Sequence, residues 1–72
     1  MDIHNVAMNI RSERVRIGLT VDGLAKAVGV SKNTIASWEL NKRSPDGSYL
    51  MRMANIFGCT TDYLLGLTDE RT

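Results

Sequence analysis

A group of hydrogen-bonding side chains lies in residues 31–39, which read SKNTIASWE. A helix over this stretch turns about 100° per residue, which places Asn33 and Ser37 on the half opposite Ile35. Asn can bind adenine N6 and N7 with two hydrogen bonds, and a Lys such as Lys32 can donate to guanine O6 and N7. These residue types are therefore suited to recognition of base edges and not to bond breaking.

A simpler interpretation exists, because Ser and Asn are also ordinary residues at the start of a solvated helix. Taken alone, residues 31–34 favour that simpler interpretation. Their context favours DNA recognition, because a short helical pattern over residues 24–28 stops at Gly29 and only Val30 separates it from Ser31. Two short helices joined by a tight turn are the outline of a helix-turn-helix, so duplex DNA is the first ligand to test.

Glu39 is the residue of this stretch that calls for a partner. It is expected to angle towards the core beside Trp38, where an unpaired carboxylate is costly. Arg14 shares a face of the first helix with Ile10 and Ile17, at a position where an apolar residue is expected. We therefore predict a structural ion pair between Arg14 and Glu39 that joins the first helix to the end of the third. The alternative is two independent surface charges.

The spacing of apolar residues predicts an all-α fold of five helices with no strand. The first helix covers about residues 3–17, the second lies between an N-cap at Thr20 and Gly29, and the third runs from its cap at Ser31 to Glu39. The fourth covers about residues 46–57, and the fifth covers residues 61–65 behind a cap at Thr60. We expect one compact domain over residues 1–67, with the helix-turn-helix at helices two and three, and a short frayed tail over residues 68–72.

Composition excludes several classes of protein. The chain has 72 residues with 43% apolar content, enough for one small core. No stretch approaches the roughly 20 apolar residues of a membrane span, and no signal peptide is evident, so a cytoplasmic location is expected. Cys59 and His4 are the single cysteine and histidine, which predicts no disulfide and no metal site. We expect Cys59 in the core, His4 solvated near a helix start, no cofactor or small-molecule ligand, and no catalytic activity.

The net charge of +1 hides an uneven distribution. Residues 10–43 carry seven basic and three acidic side chains, whereas residues 44–72 carry two basic and four acidic ones. A basic centre suits a face directed at phosphates. Ordinary solvated charge explains the same distribution equally well.

Five segments in order resemble the lambda-repressor-like helix-turn-helix domains of the xenobiotic-response-element (XRE) type, which include phage repressors, Cro proteins and small bacterial regulators. The segments are IRSERVRIGLT, LAKAVGVSKNTIASWE, NKRSPD, LMRMANIFG and TTDYLLGLTD. Together they cover roughly residues 6–69. The resemblance implies five helices, a third helix lying in the major groove of duplex DNA, and a buried Arg–Glu pair at Arg14 and Glu39.

The resemblance also assigns roles to individual positions. It implies base contacts from Lys32, Asn33 and Ser37, supported by Ser31 and Thr34. It implies phosphate contacts from Thr20, Val21, Asn41, Lys42, Arg43 and Ser44. Similar proteins bind near-palindromic operators as dimers, often through the last helix, which here offers Tyr63, Leu64 and Leu67.

Two positions depart from the family pattern. Val21 stands where the family commonly has Gln, and Asn41 stands where it usually has Gly. Val21 and the low net charge leave room for a rival interpretation, a protein-interaction module that has kept the fold, with Val15, Met51 and Ile56 as apolar contacts outside the core. Among DNA-binding interpretations, a phage repressor, an antitoxin and a restriction–modification controller fit equally.

Overall fold

Residues 3–72 are described by a computed structural model of the chain, with side chains described from Val6 onward. This part of the chain folds into five helices without a strand, as predicted. They are α1 (Ile3–Arg16), α2 (Val21–Val28), α3 (Lys32–Glu39), α4 (Gly47–Phe57) and α5 (Thr61–Leu64). His4 lies outside the residues whose side chains are described. None of these helices has the length and hydropathy needed to span a membrane.

Hydroxyl side chains begin three of the helices at the expected positions. Thr20 Oγ1, Ser31 Oγ and Thr60 Oγ1 each accept a hydrogen bond from a backbone N–H in the first turn that follows. Asp46 holds the same position before α4 without a side-chain capping bond. The capped N–H groups have no partner within their own helices, so the hydroxyls fix where α2, α3 and α5 start.

The connection between α2 and α3 is short and tightly bonded. Gly29 has a φ of 89°, in the left-handed region, and its N–H donates to the Ala25 carbonyl at 2.8 Å. The N–H of Val30 donates to the same carbonyl at 3.0 Å, and the Val30 side chain packs against the core. A side chain at Gly29 would be strained at this φ. The turn therefore sets the direction in which α3 leaves α2.

The core holds α3 along one side. Ile10 of α1, Ile35 of α3 and Met53 of α4 are completely buried, and Trp38 of α3 is buried beside them. Each large apolar side chain buried in this way contributes about 1.5–3 kcal/mol. Ile35 and Trp38 belong to the half of α3 predicted to face inward, so the other half is left to solvent.

Cys59 lies at the edge of this core. Its side chain is half-buried and packs against the core, where full burial was expected. Burial raises the pKa of the Cys59 thiol, and the negative charge of Glu13 raises it further. A thiol held protonated is a poor nucleophile, so Cys59 acts here as a packing residue.

The expectation of a frayed tail over residues 68–72 is wrong for Arg71. Its guanidinium donates from Nη2 to Glu13 Oε1 at 2.6 Å and to the Phe57 carbonyl at 3.0 Å. The Arg71 carbonyl accepts a hydrogen bond from the Thr60 N–H at 2.9 Å. The tail therefore returns to the ends of α1 and α4, through a carboxylate that the helical pattern did not single out.

Two apolar residues lie deeper than expected. Leu64, expected at a dimer interface, is 0% exposed because α5 packs against α1 and α4. It is therefore unavailable to a partner subunit. Ile56, expected outside the core, is half-buried and packs against it. Val15 and Met51 are exposed, as expected.

Candidate nucleic-acid interface

The side of α3 turned away from the core carries small polar side chains. Lys32 and Asn33 are exposed, and Ser37, one turn after Asn33, is half-buried. Ala36 is half-buried beside them. The structure thus brings the three predicted base-contacting residues to the accessible surface of one helix. With no bulky side chain at its start, α3 can approach the bases of a major groove about 12 Å wide.

Ser31 and Thr34 form the N-terminal end of this surface. Ser31 Oγ accepts a hydrogen bond from the Thr34 N–H at 3.2 Å and lies 2.9 Å from Thr34 Oγ1. The two hydroxyls therefore hold each other and cap the helix. The remaining free N–H groups of the first turn carry the positive end of the helix dipole, which favours an anion at this end of α3.

An ion pair with two hydrogen bonds holds the other end of α3. Arg14 Nε donates to Glu39 Oε2 at 2.7 Å, and Arg14 Nη2 donates to Glu39 Oε1 at 3.0 Å. Arg14 Nη1 donates to the Leu19 carbonyl at 2.9 Å, so the pair also fastens the loop before α2. The hydrogen bonds that Arg14 donates to Glu39 raise the pKa of Arg14, although burial opposes this shift. The predicted pair is present, and it fixes α3 relative to α1.

The loop after α3 presents the predicted phosphate-contacting residues. Asn41 has a φ of 61°, the left-handed conformation expected for it. The Lys42 N–H donates to the Ser37 carbonyl at 2.9 Å, so the loop folds back onto the end of α3. Pro45 is buried, whereas residues 42–44 are exposed. The loop is thus anchored at both ends and offers its cationic side chains to solvent.

The start of α2 is less suited to direct phosphate contact than the loop. Thr20 is exposed, but its Oγ1 already accepts the Gly23 N–H at 2.9 Å. A Cβ on Gly23 would stand 3.2 Å from that oxygen and 3.4 Å from the Leu19 side chain, so glycine preserves room for the cap. Val21 is half-buried against the core and has no polar side-chain atom. Only its backbone N–H can serve an anion.

The cations that flank α3 are available to a ligand. Among the residues whose side chains the structure describes, ion pairs engage the cations of Arg14, Arg16, Lys26 and Arg71. Within that same set, the exposed side chains of Lys32, Lys42 and Arg43 belong to no ion pair. Lys32 begins the polar face of α3, and Lys42 and Arg43 follow α3 in the loop. The described residues also contain no cluster of His, Cys, Asp and Glu fit to hold a metal ion.

A shallow cavity beside α3 was not predicted. It has a volume of about 360 Å³ and is lined by Arg11, Val21, Ala36, Glu39 and Leu40. The sequence held two signals for it. Leu40 is an apolar residue directly after α3 and is followed by the polar residues 41–44, and Arg11 lies one turn before Arg14 on α1.

Comparison with known proteins agrees with this arrangement. A family model described as "Helix-turn-helix" matches residues 10–64, more than half of the chain, including α2, the turn and α3. The chain belongs to this helix-turn-helix family. The resemblance to XRE-type domains inferred from the sequence is thereby confirmed.

Several relatives carry regulator names. Repressor protein C2 of Salmonella phage P22 is 32% identical over 65 residues, which cover 90% of this chain and 30% of the repressor. The HTH-type transcriptional regulator ImmR of Bacillus subtilis (strain 168) is 27% identical over 62 residues, or 86% of this chain and 49% of ImmR. An uncharacterized HTH-type transcriptional regulator of Archaeoglobus fulgidus is 34% identical over 61 residues, or 85% of this chain and 87% of the relative. The chain thus spans less than half of the first two relatives.

Solved structures of the P22 protein share the fold. The P22 c2 repressor crystallised with a synthetic operator is 33% identical, with a TM-score of 0.79 over 83% of this chain and 91% of that one. The solution structure of the P22 c2 DNA-binding domain is 32% identical, with a TM-score of 0.81 over 90% of this chain and 86% of that domain. The five-helix arrangement is therefore that of a repressor's DNA-binding domain.

Proposed function

We propose that this chain is a sequence-specific DNA-binding regulator of transcription, acting as a repressor with α3 in the major groove. The observation that carries the proposal is the accessible polar face of α3, bounded by a capped N-terminus and by the cationic loop. The likeness to a repressor whose solved structure includes a synthetic operator supports the same conclusion. Nothing in the proposal requires a cofactor, a metal or catalysis, and it places the protein in the cytoplasm.

In this proposal the polar face of α3 contacts bases. Asn33 is exposed one turn before Ser37, and its amide forms two hydrogen bonds with adenine. Lys32 donates to guanine O6 and N7, and Ser37 bonds to a neighbouring base edge. Ser31 and Thr34 support them by holding the first turn in place through their shared hydrogen bond.

Phosphate contacts come from both sides of α3. On one side, Lys42 and Arg43 extend from the anchored loop, with Asn41 and Ser44 beside them. On the other side, Thr20 and the backbone N–H of Val21 lie at the start of α2, where the helix dipole favours an anion. The exposed cations provide most of the sequence-independent affinity, and the base contacts add the discrimination between sequences.

We further propose that the protein binds as a homodimer on a near-palindromic operator. Such dimers place two α3 helices in successive major grooves on one face of the duplex, about 34 Å apart. Leu67 is exposed and Tyr63 is half-buried at the C-terminal end of the fold, so these two residues remain candidates for the subunit contact. Leu64 is buried, so it is no longer a candidate for the subunit contact.

A protein-interaction module is the second candidate, favoured by one observation. Met8 and Val15 are exposed on α1 around a shallow cavity of about 430 Å³ that Arg11 and Ser12 also line. A partner bound there would make mainly apolar contacts, which respond weakly to salt. A DNA-binding dimer that neutralises about six to eight phosphates loses affinity with a log–log salt slope of about −5 to −7.

In vitro selection from random duplex DNA, followed by affinity measurements at two salt concentrations, tests the proposal. We expect enrichment of a two-fold symmetric motif that the protein binds with the steep salt dependence given above. Analytical ultracentrifugation with the selected duplex should show two chains per site. Absence of any enriched motif, together with salt-insensitive or undetectable binding, would contradict the proposal and favour the interaction module.

A further inference from the structure

The cavity beside α3 adjoins the polar face proposed to contact bases. Ala36 of α3 and Leu40, the residue that caps the C-terminal end of α3, line one wall of it about one helical turn apart. On the same helix, Asn33 precedes Ala36 by three residues and Ser37 precedes Leu40 by three, so each pair lies side by side on the helix surface. If Asn33 or Ser37 binds a base pair, the neighbouring base pair is expected to lie over the cavity.

Three of the five residues that line the cavity are apolar. Val21, Ala36 and Leu40 provide hydrocarbon surface, and the Leu40 side chain is 65% exposed. Glu39 adds little charge to the cavity, because both of its carboxylate oxygens accept hydrogen bonds from Arg14. The remaining lining residue, Arg11, is exposed on the α1 side. The cavity is thus a small apolar surface with one cation at its rim.

We infer that this cavity receives the 5-methyl group of a thymine in the operator, while Arg11 contacts the phosphate backbone beside it. The inference rests on the proposed function, since it requires α3 to lie in the major groove. Thymine alone among the four bases presents a methyl group there. The occupant is a base and not an apolar protein surface, because the polar face of α3, the apolar wall of the cavity and Arg11 follow one another in the order of base edge, methyl group and phosphate.

The inference makes Val21, Ala36 and Leu40 specificity-determining residues at one base pair of each half-site. Val21, which lacks the amide of the more common Gln, gains a role as part of the apolar wall. Burial of one methyl group changes an affinity by about fourfold. The expected discrimination between thymine and uracil at this position is therefore about fourfold for each half-site.

The test uses the selected operator with each thymine replaced in turn by uracil, which removes only the methyl group. We expect wild-type protein to lose about fourfold in affinity at one position of each half-site. The Leu40→Ala variant should bind the thymine operator more weakly and distinguish thymine from uracil at that position by less than twofold. Met51→Ala, which truncates an equally exposed apolar residue on α4, is the matched control and should behave as wild type.

The outcomes separate this inference from the proposed function. Sequence-specific, salt-sensitive binding that no uracil substitution weakens would overturn the inference alone. A uracil effect of the same size in wild type and Leu40→Ala would also overturn it, because the methyl group would then lie elsewhere. Absence of sequence-specific binding by the wild type would overturn the proposed function and, with it, this inference. Circular dichroism of Leu40→Ala checks that this exposed substitution leaves the fold unchanged.

Arg11→Ala tests the phosphate contact separately. We expect weaker binding to every duplex and a salt slope shallower by about one. An unchanged slope would remove Arg11 from the interface while leaving the thymine–uracil comparison valid.

Discussion

Two consecutive residues of α1 anchor ion pairs on different parts of the molecule. Arg14 binds Glu39 at the end of α3, and Glu13 binds Arg16 and Arg71 beside the end of α4. In the first pair both side chains are nearly buried, with exposures of 13% and 8%. In the second the carboxylate is buried, but Arg16 and Arg71 remain 45% and 35% exposed.

The two groups of ion pairs have different structural roles: one positions α3, and the other holds the C-terminal tail against α1 and α4. Arg14 and Glu39 have one another as their ionic partners, so losing either side chain strands a buried charge. Glu13 has two cationic partners, and both also donate to the Phe57 carbonyl, so losing one leaves the other in place. The first pair therefore controls the helix that we propose contacts DNA, and the second fastens the tail and the end of α4.

The largest effect is expected from Glu39→Ala. Removing one partner of a nearly buried ion pair should lower the free energy of unfolding by about 3 kcal/mol, because Arg14 is left without its counter-charge. Operator binding should also weaken at a temperature where the variant is still folded, because the end of α3 is released. Urea denaturation and DNA titration measure the two effects. The control Lys26→Ala, which removes an exposed pair with Asp22, should cost under about 1 kcal/mol.

A smaller effect, with a distinct pH dependence, is expected from Glu13→Gln. Burial alone would raise the pKa of Glu13, but the hydrogen bonds from Arg71 and Arg16 outweigh it and hold the pKa below its usual value of 4.5. The unfolded chain therefore binds a proton at this group at higher pH than the folded one does. The stability that Glu13 contributes is complete above about pH 4.5 and is lost as the pH falls through the lowered pKa.

Denaturation midpoints measured from pH 7 down to pH 2 check this prediction. Wild type should lose more stability over the acid range than Glu13→Gln, and operator affinity at neutral pH should be the same for both. Parallel pH profiles would show that Glu13 is not the group responsible. Loss of operator affinity in Glu13→Gln would remove the distinction between the two ion pairs.

The smallest effect is expected from Arg71→Ala. Arg16 still pairs with Glu13 in this variant, so the unfolding midpoint should fall less than in Glu13→Gln. The Arg71 side chain holds the tail in place, and the Thr60 N–H donates to the Arg71 carbonyl. Without that side chain the tail should detach more often, so amide hydrogen exchange at Thr60 should accelerate. Glu70→Ala, an exposed neighbour in the tail, serves as the control. An Arg71→Ala effect equal to that of Glu13→Gln would show that Arg16 contributes nothing to the cluster.

The same comparison shows what local sequence signals can predict. Capping hydroxyls at Thr20, Ser31 and Thr60 act within one turn of their own positions, so they predicted the helix starts. The position of Glu39 predicted an ion pair, because Glu39 lies beside Trp38 on a helix whose inward half was evident from the periodicity of its apolar residues. The class of fold and the accessible side of α3 followed from these signals.

The rest depended on contacts distant in sequence. Glu13 and Arg71 are separated by 58 positions, and a single arginine in a polar tail carries no sign of a buried partner. Leu64 was misplaced because the resemblance pointed to the last helix as a whole, and the pattern of a four-residue helix does not distinguish a core face from a subunit contact. The cavity beside Leu40 arises where α1, α2 and α3 meet, so Leu40 and Arg11 were visible as unusual residues in the sequence, but only the packed structure brings them together.

The most direct test of the central claim compares Asn33→Ala with Lys42→Ala on the selected operator and on a scrambled duplex. Asn33→Ala should cost about 1–3 kcal/mol on the operator, little on the scrambled duplex, and flatten discrimination at one base pair. Lys42→Ala should weaken binding to both duplexes alike and shallow the salt slope by about one. Equal losses from Asn33→Ala on both duplexes, or no loss on either, would contradict the proposal that α3 contacts bases.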